Sequence, residues 1–153
     1  MNARSELRTL TGRTRLAGVM GWPVAHSRSP QLHGFWLRRY GIDGAYVPLA
    51  VAPERLEAAL RGLVALGFAG ANATVPHKEA LLGLVDRVSE EARRIGAVNT
   101  LVIDEEGRIE GRNTDAYGFL ENLRSCAGWE AAAGPAVVLG AGGAARAVVV
   151  ALL

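Results

Sequence analysis

Hydrophobic and polar positions along this chain switch repeatedly between a period of two and a period near 3.6, the mark of strands alternating with helices. Residues 16–20 are a short apolar run that reads as a strand. The loop after it, GWPVAHSRSP at 21–30, ends in the form of a helix start, with Ser29 as N-cap and Pro30 at the first helical position. Leu32, Phe35, Trp36 and Tyr40 then recur at helical spacing until Gly41 stops the helix. Residues 45–51 carry apolar side chains at every second position, and Pro48 argues for an edge strand or an irregularity. Residues 54–66 place Leu56, Ala59, Leu60 and Leu63 on one helical face, ended by Gly67.

Residues 68–74 are the next strand, and a helix after Pro76 is predicted to carry Lys78 near its start, with Leu81, Leu82 and Val85 behind it. Ser89 can cap a further helix that Gly96 closes. Residues 97–103 and 108–111 read as strands around a turn at 104–107. Asn113, Thr114 and Asp115 precede a helix with Phe119, Leu120 and Leu123 on its apolar face. The alternation predicts an α/β layer whose N-terminal sheet is mostly parallel and flanked by helices. Residues 127–135, rich in Ala and Gly, read as a linker between a domain at 1–126 and the start of a second one at 127–153.

That second piece opens with a short buried strand at 136–139, running directly into Gly140, Ala141, Gly142, Gly143 and Ala144. Gly140, Gly142 and Ala145 match G-x-G-x-x-G/A, after a strand and opening a helix, where a dinucleotide fingerprint belongs. The glycines let the backbone approach a pyrophosphate held on the helix N-terminus. The sequence given stops at Leu153 inside that helix, so the expectation is the first βα unit of a Rossmann-like domain, truncated.

Composition narrows the function classes. Half of the 153 residues are hydrophobic and the formal charge is only +2, which is no basic stripe for nucleic acid. No apolar run reaches membrane-spanning length. Arg4, Arg8, Arg13 and Arg15 come before any apolar stretch, which reads as a short frayed tail and not a secretory signal. A single cysteine, Cys126, leaves no disulfide framework and fits a reducing, cytoplasmic setting. His26, His33 and His77 with Cys126 lack paired-ligand spacing, so no metal site is expected. A homodimer is compatible with the chain.

Charge type then singles out one residue. Of 17 basic residues 16 are arginine, and Lys78 is the only lysine. Arginine stays protonated, whereas a partly buried lysine can act as an acid or a base. Lys78 follows Asn72 and Thr74 at the end of a predicted strand. Ser27 and Ser29, two apart in an extended run, project to one side beside a helix start, a seat for a carboxylate or phosphate.

In order along the chain, GWPVAHSRSP at 21–30, NATVPHKE at 72–79, GAVNT at 96–100, GRNTD at 111–115 and GAGGA at 140–144 resemble the motifs of the shikimate dehydrogenase family. The resemblance runs over nearly all of residues 16–150. It implies a substrate-binding α/β domain followed by a cofactor domain, and NADPH-dependent reversible reduction of 3-dehydroshikimate to shikimate in aromatic amino-acid biosynthesis. Ser27 and Ser29 would hold the substrate carboxylate, and Asn72 and Thr74 would contact ring hydroxyls or that carboxylate. Lys78 and Asp115 would form the catalytic pair, with Asn99 on a neighbouring hydroxyl. Gly140, Ala141, Gly142, Gly143 and Ala144 would cradle the cofactor phosphates, with Glu90 close to the cofactor. His77 stands where an aromatic or apolar residue is usual.

Ketone reduction needs a hydride donor and a proton donor at the carbonyl oxygen, and Lys78 as ammonium can supply the proton. Asp115 would orient it. Two other readings fit the same residues: an NAD-dependent quinate/shikimate dehydrogenase, and a truncated substrate-binding domain without dehydrogenase activity. The 153-residue chain alone is expected to show little turnover.

Overall fold

The computed structural model describes residues 10–153, so Arg4 and Arg8 of the expected tail lie outside the described residues. Six strands, β1 (Arg15–Gly21), β2 (Gly44–Ala50), β3 (Phe68–Ala73), β4 (Arg87–Val88), β5 (Thr100–Ile103) and β6 (Ile109–Arg112), form a sheet in the order β2-β1-β3-β5-β6-β4. Five helices accompany them: α1 (Ser29–Arg39), α2 (Leu56–Ala65), α3 (Glu90–Ile95), α4 (Asp115–Ala127) and α5 (Gly143–Leu152). The fold class is therefore the expected α/β sheet flanked by helices.

Three neighbouring pairs are parallel, β1 with β2, β1 with β3 and β4 with β6. The exceptions both involve β5, which runs antiparallel to β3 and β6 because a tight turn at 104–107 joins it to β6. β2 lies at the sheet edge, where Pro48 removes no ladder hydrogen bond that a second neighbour would need. Gly70, at φ 155°, lets β5 approach β3: a Cβ there would strike the carbonyl oxygen of Leu101.

The main core lies on one sheet face. Met20, Ala71, Ala73 and Leu101 pack there against Leu56, Leu60 and Leu63 of α2 and against Leu81. Burying each of these leucines contributes about 1.5–3 kcal/mol. Ser89 caps α3 by accepting the Ala92 N–H at 3.2 Å, and Gly96 ends it in the left-handed region, as predicted. A second cluster joins Ile95, Ala97, Ala116 and Ala147, so α5 is docked on the α3 and α4 side of the molecule.

Three expectations are corrected. Ser29 is not the N-cap: α1 begins at Ser29, Arg28 takes the cap position without a side-chain cap bond, and Ser27 Oγ accepts the Ser29 N–H at 3.3 Å. Pro30 then falls within the first turn of the helix, where its missing N–H removes no intrahelical bond. The helix predicted from the spacing of Leu32, Phe35, Trp36 and Tyr40 forms, and all four side chains are exposed on it. The helix rests on the sheet through half-buried His33 and Leu37 instead.

No α-helix carries Lys78. Residues 75–79 form turns that lead into a single 3-10 turn, Ala80–Gly83. The Lys78 carbonyl accepts the Val98 N–H at 2.7 Å, and Leu82 N–H donates to Glu79 at 3.2 Å, so the helical ladder that Leu81 N–H begins on His77 O is broken at the next step. The run at 136–139 is neither a strand nor buried: Val137 is 86% and Leu139 93% exposed. A buried strand needs a hydrogen-bonded neighbour, and none of the described strands lies beside it.

Candidate active site

The predicted site residues come from loops that meet at one edge of the sheet. β1 and β3 end side by side, with Thr74 N–H donating to Met20 O at 2.9 Å and Trp22 N–H to Val75 O at 3.0 Å. Antiparallel β5 starts at the same edge, Thr100 lying opposite both Asn72 and Arg112. The carboxyl ends of parallel strands in an open α/β sheet are where ligands bind.

Lys78 Nζ donates to Asp115 Oδ2 at 2.6 Å, and the side chains are only 16% and 32% exposed. Asp115 is the first residue of α4, where the helix dipole favours a carboxylate. Its other oxygen, Oδ1, accepts from Asn99 Nδ2 at 2.7 Å. Buried Asn113 fixes the entry to α4: its Nδ2 donates to Ala97 O at 2.8 Å and its Oδ1 accepts the Asp115 N–H at 2.9 Å. The pair is thus held in place from both sides. It can present an ammonium, braced by a carboxylate, to a polar ligand.

Asn72 lies behind this pair, and its carboxamide is engaged within the protein. Oδ1 accepts from the Tyr46 hydroxyl at 2.7 Å, while Nδ2 donates to Asn99 O at 3.3 Å and Thr100 Oγ1 at 3.1 Å. Thr74 is half-buried next to it. His77 is fully buried and its Nε2 bonds Val51 O at 2.9 Å, tying the Lys78 turn to the end of the β2 loop. Ser27, on the loop leaving β1, and Ser29, the first residue of α1, are both half-buried.

The glycine-rich turn faces Lys78 directly. A Cβ on Gly143 would stand 3.0 Å from Ala97 Cβ and 3.2 Å from Lys78 Cβ, so glycine allows the start of α5 to lie against the lysine. Between them is a cleft of about 510 Å³, with Thr74, Lys78 and Glu79 on one wall and Gly140, Gly142, Gly143 and Ala144 on the other. No side chain caps α5, and Gly143 and Ala144 of its first turn line this cleft. Glu90 sits elsewhere, exposed in a groove with Arg94, Tyr117 and Val150 on the flank of α5.

Sequence reasoning passed over several residues. Arg146 donates through Nε to Ala141 O at 3.2 Å and pairs with Glu79 at 3.1 Å, joining the glycine-rich turn to the turn that carries Lys78. It is the only charged residue between 136 and 153, and that isolation was the available signal. Tyr46, Thr100 and Thr114 also enter the network; the two threonines lie inside the GAVNT and GRNTD motifs, whereas nothing in the local pattern marks Tyr46. Among the described residues no group of three or more His, Cys, Asp or Glu is arranged to hold a metal, and no helix is long and apolar enough to cross a membrane.

An anchored Lys–Asp pair at the carboxyl edge of an α/β sheet, facing a glycine-rich helix start, defines the class as an α/β substrate-binding domain. Residues 19–101 match the family described as the shikimate dehydrogenase substrate binding domain, and the chain belongs to that family. The chain is 69% identical over 144 residues to the shikimate dehydrogenase (NADP(+)) of Paramagnetospirillum magneticum, covering 94% of this chain and 52% of that protein. Identity to the same enzyme of Rhodospirillum rubrum is 68%, over 94% of this chain and 51% of the relative. The shikimate 5-dehydrogenase of Thermus thermophilus, solved with NADP(H) and shikimate, is 49% identical with a TM-score of 0.84, over 91% of this chain and 52% of that one. The chain spans about half the length of the curated relatives it matches.

Proposed function

We propose that this chain supplies the substrate-binding half of an NADP-dependent shikimate dehydrogenase, acting on shikimate and 3-dehydroshikimate. The observation that carries the reading is the 2.6 Å contact of Lys78 Nζ with Asp115 Oδ2, Lys78 itself lining the cleft onto which the start of α5 opens. In this reading residues 1–126 hold the substrate, and the glycine-rich turn within 127–153 faces the cofactor. The residues fit a dinucleotide: Gly143 leaves no side chain between Lys78 and α5, and the helix N-terminus favours a phosphate. When bound, NADPH supplies the hydride for ketone reduction. A cytoplasmic setting fits the single cysteine, Cys126, which is free and exposed.

The chain's own residues account for the rest. Ser27, Ser29 and Thr74 at the β1 and β3 ends hold the substrate carboxylate and a hydroxyl. Lys78 as ammonium hydrogen-bonds the ketone oxygen and passes it a proton as the oxygen gains charge; in the reverse direction the neutral amine takes that proton back. Asp115 orients the amine and accepts from a ring hydroxyl, and Asn99 fixes the Asp115 carboxylate through its 2.7 Å bond. Asn72 acts from behind, through the strand edge.

Shikimate titration followed by Trp22 and Trp36 fluorescence tests this reading. Saturable binding that weakens in Ser27→Ala and Ser29→Ala is expected. Absence of saturable binding to the wild-type protein overturns it.

A further inference from the structure

The hydrogen bonds around Asp115 continue away from it to the far edge of the sheet. Their direction is fixed by two main-chain groups that have no choice of role. The Asn99 carbonyl can only accept, so the Asn72 atom facing it at 3.3 Å is Nδ2, and Oδ1 is left to accept the Tyr46 hydroxyl at 2.7 Å. The Thr114 N–H can only donate, so the Asn99 atom facing it at 3.0 Å is Oδ1, and Nδ2 is left to donate to Asp115 at 2.7 Å. Thr100 stands between them. It accepts from Asn72 Nδ2 at 3.1 Å, which leaves its own proton for Asn99 Oδ1 at 2.8 Å.

Every link therefore donates toward the carboxylate: Tyr46 to Asn72, Asn72 to Thr100, Thr100 to Asn99, Asn99 to Asp115. Hydrogen bonds aligned in one sense in a poorly solvated setting polarise one another. The first donor is secured as well. The Tyr46 ring stacks on His33 with centroids 3.9 Å apart and planes 3° from parallel. Burial pushes its phenol up to about 12, so it keeps its proton as a donor.

We infer that Tyr46 is a positioning residue for the Lys78–Asp115 pair, acting through Asn72, Thr100 and Asn99. The inference deepens the proposed function and rests on its reading of that pair. Without the Tyr46 hydroxyl the main-chain groups still set the sense of each link, but Asn72 Oδ1 loses its donor, and the polarisation passed on through Thr100 and Asn99 weakens. The Asp115 carboxylate then holds the Lys78 amine less tightly.

The sole lysine makes the test specific. The wild-type chain and its variants are acylated with trace acetic anhydride, the α-amino group serves as internal reference, and the Lys78 rate is read by mass spectrometry. Tyr46→Phe keeps the ring on His33 and should acylate Lys78 at least about twofold faster, the lower end of coupling between contacting residues. Thr100→Val breaks the same chain and should match it, the double variant should be no faster than either single one, and Thr100→Ser should restore the wild-type rate. An unchanged or slower Lys78 rate in folded Tyr46→Phe, or a double-variant effect equal to the product of the two singles, overturns the inference. A fall in unfolding temperature with no change in rate does the same, because it marks Tyr46 as packing alone. Acylation needs no shikimate, so failure of shikimate binding would refute the proposed function while leaving this result to stand or fall by itself.

Discussion

Lys78 and Asp115, 37 positions apart, meet at 2.6 Å because the turn after β3 and the start of α4 are brought to one sheet edge. The contact is largely sheltered from solvent, the two side chains being 16% and 32% exposed. Asp115→Asn removes the charge while keeping the size of the side chain. Shikimate affinity should fall about 10–100-fold, the effect of losing one hydrogen bond to a charged group, and the thermal midpoint should fall too, because the asparagine turns an NH2 toward a donor of Asn99 or Lys78. Titration calorimetry and differential scanning calorimetry read the two effects, and an unaltered Kd would contradict the role given to Asp115.

Gly143 sets how closely α5 approaches the lysine. Its missing side chain is what lets Ala97 Cβ and Lys78 Cβ lie 3.0 and 3.2 Å from where a Cβ would be. Gly143→Val forces these groups apart and should cost about 1–3 kcal/mol in urea unfolding, the usual penalty for overfilling a packed contact. Shikimate binding should weaken with it, since Lys78 is what moves.

The stacked rings of His33 and Tyr46 should limit stability at both ends of the pH range. Burial lowers the His33 pKa from its ordinary 6.5, so below about pH 6.5 the unfolded chain binds the proton more readily and stability falls with acid. Burial raises Tyr46 from 10.0 to about 12, so stability from this group is full below pH 10 and is lost as pH climbs toward 12. Urea midpoints measured across pH should show the alkaline loss reduced in Tyr46→Phe and the acid loss reduced in His33→Phe. Identical pH profiles for wild type and both variants would contradict this account.

Leu81 is fully buried in the core, three residues after Lys78. Leu81→Ala should lower unfolding free energy by about 2–5 kcal/mol, read from denaturant titration. The 3-10 turn that it anchors backs the lysine, so shikimate binding should fall in the same variant even where it remains folded.

Much of this was legible in the residues. Pro48 marked the edge strand, Ser89 and Gly96 bounded α3, and the motifs around Lys78 and Asp115 pointed to a pair that the structure brings together. What stayed hidden depends on partners that periodicity does not name. The spacing of Leu32, Phe35 and Trp36 describes a stripe but not whether anything covers it. The apolar run at 136–139 looks like a buried strand, but none of the six described strands pairs with it. The Lys78 turn departs from a helix because a distant amide, Val98 N–H, takes the carbonyl that helix growth required. Tyr46 joins the site only through the register that sets Thr100 opposite Asn72.

The central claim is that Lys78, braced by Asp115, exchanges the proton in shikimate oxidation and 3-dehydroshikimate reduction. The most direct measurement joins this chain to the second half of the Paramagnetospirillum magneticum relative and follows shikimate-dependent reduction of NADP(+) with and without Lys78→Ala. The chimera should turn over, and Lys78→Ala should lower kcat by about 10²–10⁴-fold, the usual contribution of a general acid–base group. A soluble, shikimate-binding chimera whose kcat falls less than about tenfold on removal of Lys78 would contradict it.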